Sequence, residues 1–223
     1  MKDFINKVIQ GDCLEVMKDI PDKSIDMILC DLPYGTNACK WDTIIPFEPL
    51  WEQYKRIIKD NGAICLYWIW HKSIPTGMMS AKYMPMKNHE IISVFGYGKL
   101  KFNPIMEERS KNTHKTGQGK TYINSSEHNK GFSVIRKEPP DKRNPTTVRY
   151  FPNVSRHQSE HPTQKPVSLC EYLIKTYTNE GDLVLDNCAG SGTTGVVCKN
   201  FNRNYILIEK EPEYIDIINK RLL

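Results

Sequence analysis

No two of the seven cysteines form a Cys-x-x-Cys pair, and their number is odd. That spacing argues against a zinc site and against a disulfide framework, so the thiols are expected to be reduced core filler, with no metal held. Long apolar runs are missing as well. The longest, Ala63 to Trp70, is far short of the roughly 20 residues that a membrane helix needs. No basic-then-apolar leader opens the sequence, from which a cytoplasmic protein is expected. There is no internal repeat. With 223 residues, 39% hydrophobic and 26% charged, the chain has the means for one well-buried globular domain and is short for two.

The net charge of +5 is unevenly placed. Between Lys99 and Arg149 there are twelve Lys and Arg against five Asp and Glu, which leaves the remainder slightly acidic. Such a stretch is either a solvated loop region or the electrostatic footprint of a polyanion partner. It is studded with proline and has no apolar period, unlike the chain on either side of it. At this length it is more than an ordinary connection.

Both flanks alternate short apolar strands with amphipathic helices. Strands are expected at Lys7–Gly11, Ile25–Cys30, Ala63–Trp70, Glu90–Phe95, Leu183–Leu185 and Tyr205–Ile208. Helical spacing links Leu14, Met17 and Ile20; Phe47 through Ile58, stopped by Asn61-Gly62; Cys170 through Tyr177; Thr193–Phe201; and Tyr214 through Leu222. This alternation implies an α/β fold: a mostly parallel sheet with helices on both faces. Residues 1–98 and 160–223 together would form that domain, and 99–159 an irregular insert.

Two constellations carry chemistry. "DLPYG" (31–35) ends the second strand with a carboxylate, a proline and an aromatic ring where a plain turn would use Gly or Asn. "DNCAGSGTTG" (186–195) runs from strand through glycine turn into helix. Gly190, Gly192 and Gly195 satisfy G-x-G-x-x-G, and Glu209 closes the next strand, placed to hold ribose hydroxyls. Spacing alone allows a nicotinamide dinucleotide. Asp186, Ser191, Thr193 and Thr194 suit an amino acid and ribose better than a pyrophosphate, which favours S-adenosylmethionine.

Taken together, the motifs resemble the amino-methylating DNA methyltransferases in their permuted, beta-class order, with the catalytic motif ahead of the cofactor motif. They are similar to phage and prophage N6-adenine enzymes with a D-P-P-Y tetrad, here Asp31, Leu32, Pro33 and Tyr34, with Leu32 in place of the first proline. The resemblance implies a Rossmann-like fold that uses S-adenosylmethionine. Its cofactor contacts would be Asp12 in "GDCLEVM", Lys165 and Pro166 in "HPTQKP", and Asp186, Asn187, Gly190, Ser191, Gly192, Thr193, Thr194 and Glu209. "NHEII" (88–92) matches a later sheet strand. The basic insert lies where this class carries target recognition, which makes Arg136, Lys137, Lys142, Arg143 and Arg149 candidate phosphate contacts on double-stranded DNA. By analogy a homodimer in a bacterial or phage-infected cell is expected. Neither a target sequence nor a restriction-enzyme partner can be read from these residues.

The implied reaction is direct. A base swung out of the duplex stacks on Tyr34. Asp31 and the Leu32 carbonyl accept its amino hydrogens, freeing a lone pair that ring conjugation otherwise holds. A carbon-5 cytosine methylase would need a Pro-Cys nucleophile, and the chain has none. Asp at the head of the tetrad favours adenine N6, with cytosine N4 the alternative. A second alternative is a DNA-binding remnant. Relatives place a loop and helix between the strands matching Ala63–Leu66 and "YWIWHK" (67–72), and this chain has no residues between them. Either the two strands fuse or the sheet lacks an element.

Overall fold

Three short apolar runs, at 25–29, 183–186 and 204–209, are largely buried and become adjacent parallel strands. The computed structural model describes residues 1–33, 35, 42–76, 82–83, 86–108, 141–153 and 164–223. In chain order the elements are β1 (Lys7–Gln10), α1 (Cys13–Lys18), β2 (Ile25–Leu29), α2 (Phe47–Ile57), β3 (Ile58–Thr76) and β4 (Lys87–Phe95). Then come β5 (Glu107–Glu108), β6 (Lys142–Arg143), β7 (Arg149–Phe151), α3 (Val167–Tyr177), β8 (Leu183–Asp186), α4 (Thr193–Asn200), β9 (Asn204–Glu209) and α5 (Pro212–Leu222). Compactness divides the chain into Met1–Asn103 with Thr147–Leu223, and Pro104–Thr146.

In the larger unit the strand order is β1-β9-β8-β2-β3-β4, with β7 paired to β3. The pairs from β1 to β3 are parallel, as is β7 with β3. Only β4 runs antiparallel, which the alternation of strands and helices did not suggest. Side chains alternate across the strands, and the core divides accordingly. Ile28, Leu183, Leu185, Ile206 and Ile208 pack with Met17 of α1 and Leu50, Tyr54 and Ile57 of α2. Leu207 turns the other way, to Ala189 and to Ile218 of α5. Helices therefore cover both faces.

The two strands around Leu66 are one. β3 runs unbroken from Ile58 to Thr76. Its first half pairs with β2 at Ala63–Cys65; beyond that strand's end it continues against β4 and, at Trp70–Lys72, against β7. No crossover is needed because Leu66 and Tyr67 are successive residues of a single strand. The sequence-based break after Trp70 and the absence of any strand near 150 are corrected by these pairings.

One charge lies within this core. Asp26, 4% exposed in β2, accepts from Lys59 Nζ at 2.7 Å, Lys101 Nζ at 2.8 Å and the Leu183 amide at 3.1 Å. Burial pushes its pKa up, yet the two ammonium groups outweigh that and hold it below the usual carboxylate range. Lys101 also meets Asp182 at 2.7 Å, and the Asn103 amide donates to Thr176 O at 2.8 Å, so 101–103 are fastened to β2, β8 and α3. The smaller unit contains the antiparallel pair β5–β6, with Arg143 2.9 Å from Glu107.

Candidate active site

Parallel strands all end on one side, and four motif segments meet there. Gln10 pairs with Glu209, Asp186 with Leu207, and Ile28 with Leu185. Asp12, the glycine turn, Asp31 and Glu209 thus leave neighbouring strands at the same carboxyl edge, where open α/β sheets bind ligands. The chain order of the motifs is scattered, and the sheet brings them together.

The glycine turn is tightly determined. Gly192 has φ of +74°, and a Cβ there would stand 2.9 Å from Ile218 Cγ2. A Cβ on Gly195 would lie 2.5 Å from Leu207 Cδ1, so this glycine lets α4 press against β9. Asp186 accepts the Thr194 hydroxyl at 2.6 Å and the Cys188 amide at 3.2 Å. Glu209 accepts the amides of Gly190 at 2.7 Å, Lys210 at 2.8 Å and Glu211 at 2.9 Å. Its carboxylate is therefore aimed by three backbone donors and retains acceptor capacity for ribose hydroxyls. Asp12 caps α1, accepting from the Leu14 amide at 2.9 Å.

Not every candidate side chain faces a ligand. Ser191 and Thr193 are turned toward Arg221 of α5, whose guanidinium donates to Ser191 O at 2.5 Å and Oγ at 2.9 Å and reaches Thr193 Oγ1 at 3.4 Å. Asn187 is 2% exposed and accepts the Tyr54 hydroxyl at 2.6 Å. Behind these loops Cys13 and Cys30 belong to the core cluster against which Cys188 packs, so three of the motif segments contribute a thiol to shared packing. Pro166 starts α3, its carbonyl accepting from Leu169 and Cys170.

In the tetrad, Leu32 packs on the core and Asp31 is half-buried. Tyr34 lies outside the described residues. Lys165, expected at the cofactor, meets Asp31 Oδ2 at 2.5 Å, with Glu90 Oε2 3.8 Å from the same ammonium. Just past the tetrad, buried Asp42 accepts the Gly35 amide at 3.0 Å.

Burial drives the acidity of this edge. It lifts the Asp31 carboxyl to about 6, with Lys165 opposing and Glu90 adding to the rise. Burial likewise lifts Asp186 to about 7, with the Thr194 hydroxyl opposing and the charges of Asp31 and Glu209 adding. Glu209 is raised by burial against its three amides. A carboxyl whose folded pKa is raised binds a proton in the folded chain that the unfolded chain releases. Its stabilising contribution is therefore present at low pH and lost as pH rises through the folded value. Thermal unfolding of the unliganded protein should occur at higher temperature at pH 5.5 than at pH 8, and Asp186→Asn should flatten that dependence.

Of the basic candidates, Arg136 and Lys137 lie outside the described residues. Lys142 and Arg143 form β6 of the smaller unit, with Arg143 on Glu107. Arg149 is in β7 of the larger unit, its guanidinium 4.6 Å from the centre of the Tyr172 ring, where it ties β7 to α3. Four supporting residues escaped the sequence reading: Asp42, Tyr54, Glu90 and Arg221. Tyr54 was marked only as an apolar helical position, and the others carry no local signal of their tertiary partners.

Comparison with known proteins gives this geometry its class. Residues 66–220 match the family model described as DNA methylase, of the N6/N4 type, and the chain belongs to that family. Among relatives, Type II methyltransferase M2.MboI of Moraxella bovis is 29% identical over 96% of this chain and 86% of its own. Type II methyltransferase M.BglII of Bacillus subtilis is 30% identical over 97% of this chain and 68% of its own. Among solved structures, PvuII DNA methyltransferase (cytosine-N4-specific) superposes with a TM-score of 0.70 at 16% identity, over 97% of this chain and 86% of that one. The M1.HpyAVI–SAM complex gives 0.61 at 25% identity, over 97% and 99%.

Proposed function

We propose that this DNA methyltransferase moves a methyl group from S-adenosylmethionine to the N6 amino group of adenine in double-stranded DNA. The observation that carries the reading is the adjacency of β2 and β8. Their parallel pairing sets Asp31 beside the glycine turn, close enough for the charge on Asp31 to act on Asp186.

The donor set suits the cofactor. The carboxylates of Asp12, Asp31 and Glu209 make this edge acidic, which favours a sulfonium cation and opposes a pyrophosphate. That disfavours a nicotinamide dinucleotide. Glu209 would hold the ribose and Asp12 the adenine ring, with the amino-acid part lying over the glycine turn. When bound, S-adenosylmethionine supplies an electrophilic methyl on sulfur. The work of the chain is then positioning. Ionised Asp31 and the Leu32 carbonyl accept the two amino hydrogens, Pro33 stiffens them, and Tyr34 stacks on the extruded base. Lys142 and Arg143, with Arg136 and Lys137, would meet phosphates, so binding should weaken steeply with salt.

Adenine is favoured by Asp at the head of the tetrad; a fold neighbour specific for cytosine N4 keeps that base as the second reading. The continuity of β3 leaves no loop or helix after Leu66, and an impaired DNA-binding remnant is the other reading this supports. Calorimetry with S-adenosylmethionine, followed by transfer of labelled methyl to mixed-sequence DNA, tests the reading. Salt-sensitive DNA binding without cofactor binding would favour the remnant instead.

A further inference from the structure

Lys165 was expected at the cofactor and is found on the catalytic carboxylate. Its ammonium is 2.5 Å from Asp31 Oδ2 and 3.8 Å from Glu90 Oε2, with the three side chains 19%, 27% and 30% exposed. The groups come from three separate elements: the lead-in to α3, the end of β2, and β4. An exposed ion pair of this kind contributes little, whereas one sheltered to this degree fixes both position and charge state.

We propose that Lys165 is a positioning residue for Asp31, holding its carboxylate ionised and aimed. The inference rests on the reading of Asp31 as the acceptor of the amino hydrogen. A protonated carboxyl turns one acceptor oxygen into a donor and would repel an amino hydrogen there. Lys165 occupies Oδ2, which assigns Oδ1 to the incoming amino group. Rotation of Asp31 is blocked by the same contact. This is a role that cofactor binding would not require.

The groups that bear on Asp31 are Lys165, Glu90 on β4, Asp186 at the end of β8, and the thiols of Cys30 beside it and Cys170 on α3. Burial holds Asp31 at about 6 in their presence. Lys165 is the cation closest to it among the ion pairs of the described residues, and Glu90 opposes ionisation. Removing an opposite charge at this distance raises a carboxyl by about 1–3 pH units, and removing a like charge lowers it.

The test is the pH dependence of single-turnover methyl transfer, with cofactor affinity measured in parallel by calorimetry. The wild-type rate should fall on the acid side near pH 6. In Lys165→Met that limb should move up by about two units, giving about a tenfold loss at pH 7 that recovers above pH 9. Lys165→Arg should restore the profile. Glu90→Gln should move the limb the opposite way, to lower pH, and serves if Lys165→Met fails to fold. An equal loss at every pH in Lys165→Met, with weakened S-adenosylmethionine binding, would make Lys165 a cofactor ligand and overturn the proposal, leaving the role of Asp31 intact. An unshifted Glu90→Gln profile would overturn it as well. Undiminished transfer by Asp31→Ala would instead sink the catalytic reading itself.

Discussion

Asp31→Ala should reduce methyl transfer to DNA by about 10³-fold or more while S-adenosylmethionine still binds. Removing one preorganised group that stabilises developing charge costs about 10²–10³-fold in well-studied sites. Asp31 is asked for more, because it both positions the amino group and draws the lone pair out of conjugation. The folded chain should tolerate the change. Burial already works against ionised Asp31, and Lys165 keeps Glu90 within 3.8 Å when Asp31 is gone. The checks are single-turnover transfer, calorimetry and thermal melting on the same preparation. A variant that melts like the parent, binds cofactor and does not transfer would place the defect in chemistry. A variant that transfers at near-normal rates would remove Asp31 from the mechanism.

Gly192→Val should abolish measurable cofactor binding, lowering affinity by about 10²-fold or more, and should destabilise the protein by about 2–4 kcal/mol. Two causes add. At φ of +74° a β-branched residue is strained, and its Cβ would sit 2.9 Å from Ile218, a core residue with nowhere to move. The turn would have to open, carrying with it the Gly190 amide that Glu209 holds at 2.7 Å. Gly98→Ala separates the causes. Its φ is +72° with no atom within 4 Å of the added Cβ, so it should cost about 1 kcal/mol and leave cofactor affinity unchanged. Calorimetry and denaturant unfolding measure both variants. Normal S-adenosylmethionine affinity in Gly192→Val would contradict placement of the cofactor at this turn.

What could be read in the sequence was what is local. The run from β8 through the glycine turn and α4 to β9 is continuous in the chain, so strand, turn, helix and acid appear in order. Helix α2 was visible because Leu50, Tyr54 and Ile57 repeat at helical spacing and all face the core. What stayed hidden depends on distant pairing. β7 is three residues long in a proline-rich stretch, and only its register with Trp70–Lys72 makes it a strand. The fusion within β3 could be posed as one of two options, because β2 and β4 decide it from opposite sides. Lys165 was assigned by its motif to the cofactor, and only the folded chain brings it to Asp31. Arg221 lies in a helix whose sequence shows an amphipathic end and nothing of the Ser191 carbonyl it holds.

The central claim is transfer of a methyl group to an exocyclic amino nitrogen, that of adenine. Incubating the protein with labelled S-adenosylmethionine and mixed-sequence duplex DNA, then digesting to nucleosides, tests it most directly. All label should run as N6-methyladenine and be lost with Asp31→Ala. Label in N4-methylcytosine would contradict the choice of base, and unlabelled DNA from protein that binds both cofactor and duplex would contradict the assigned chemistry.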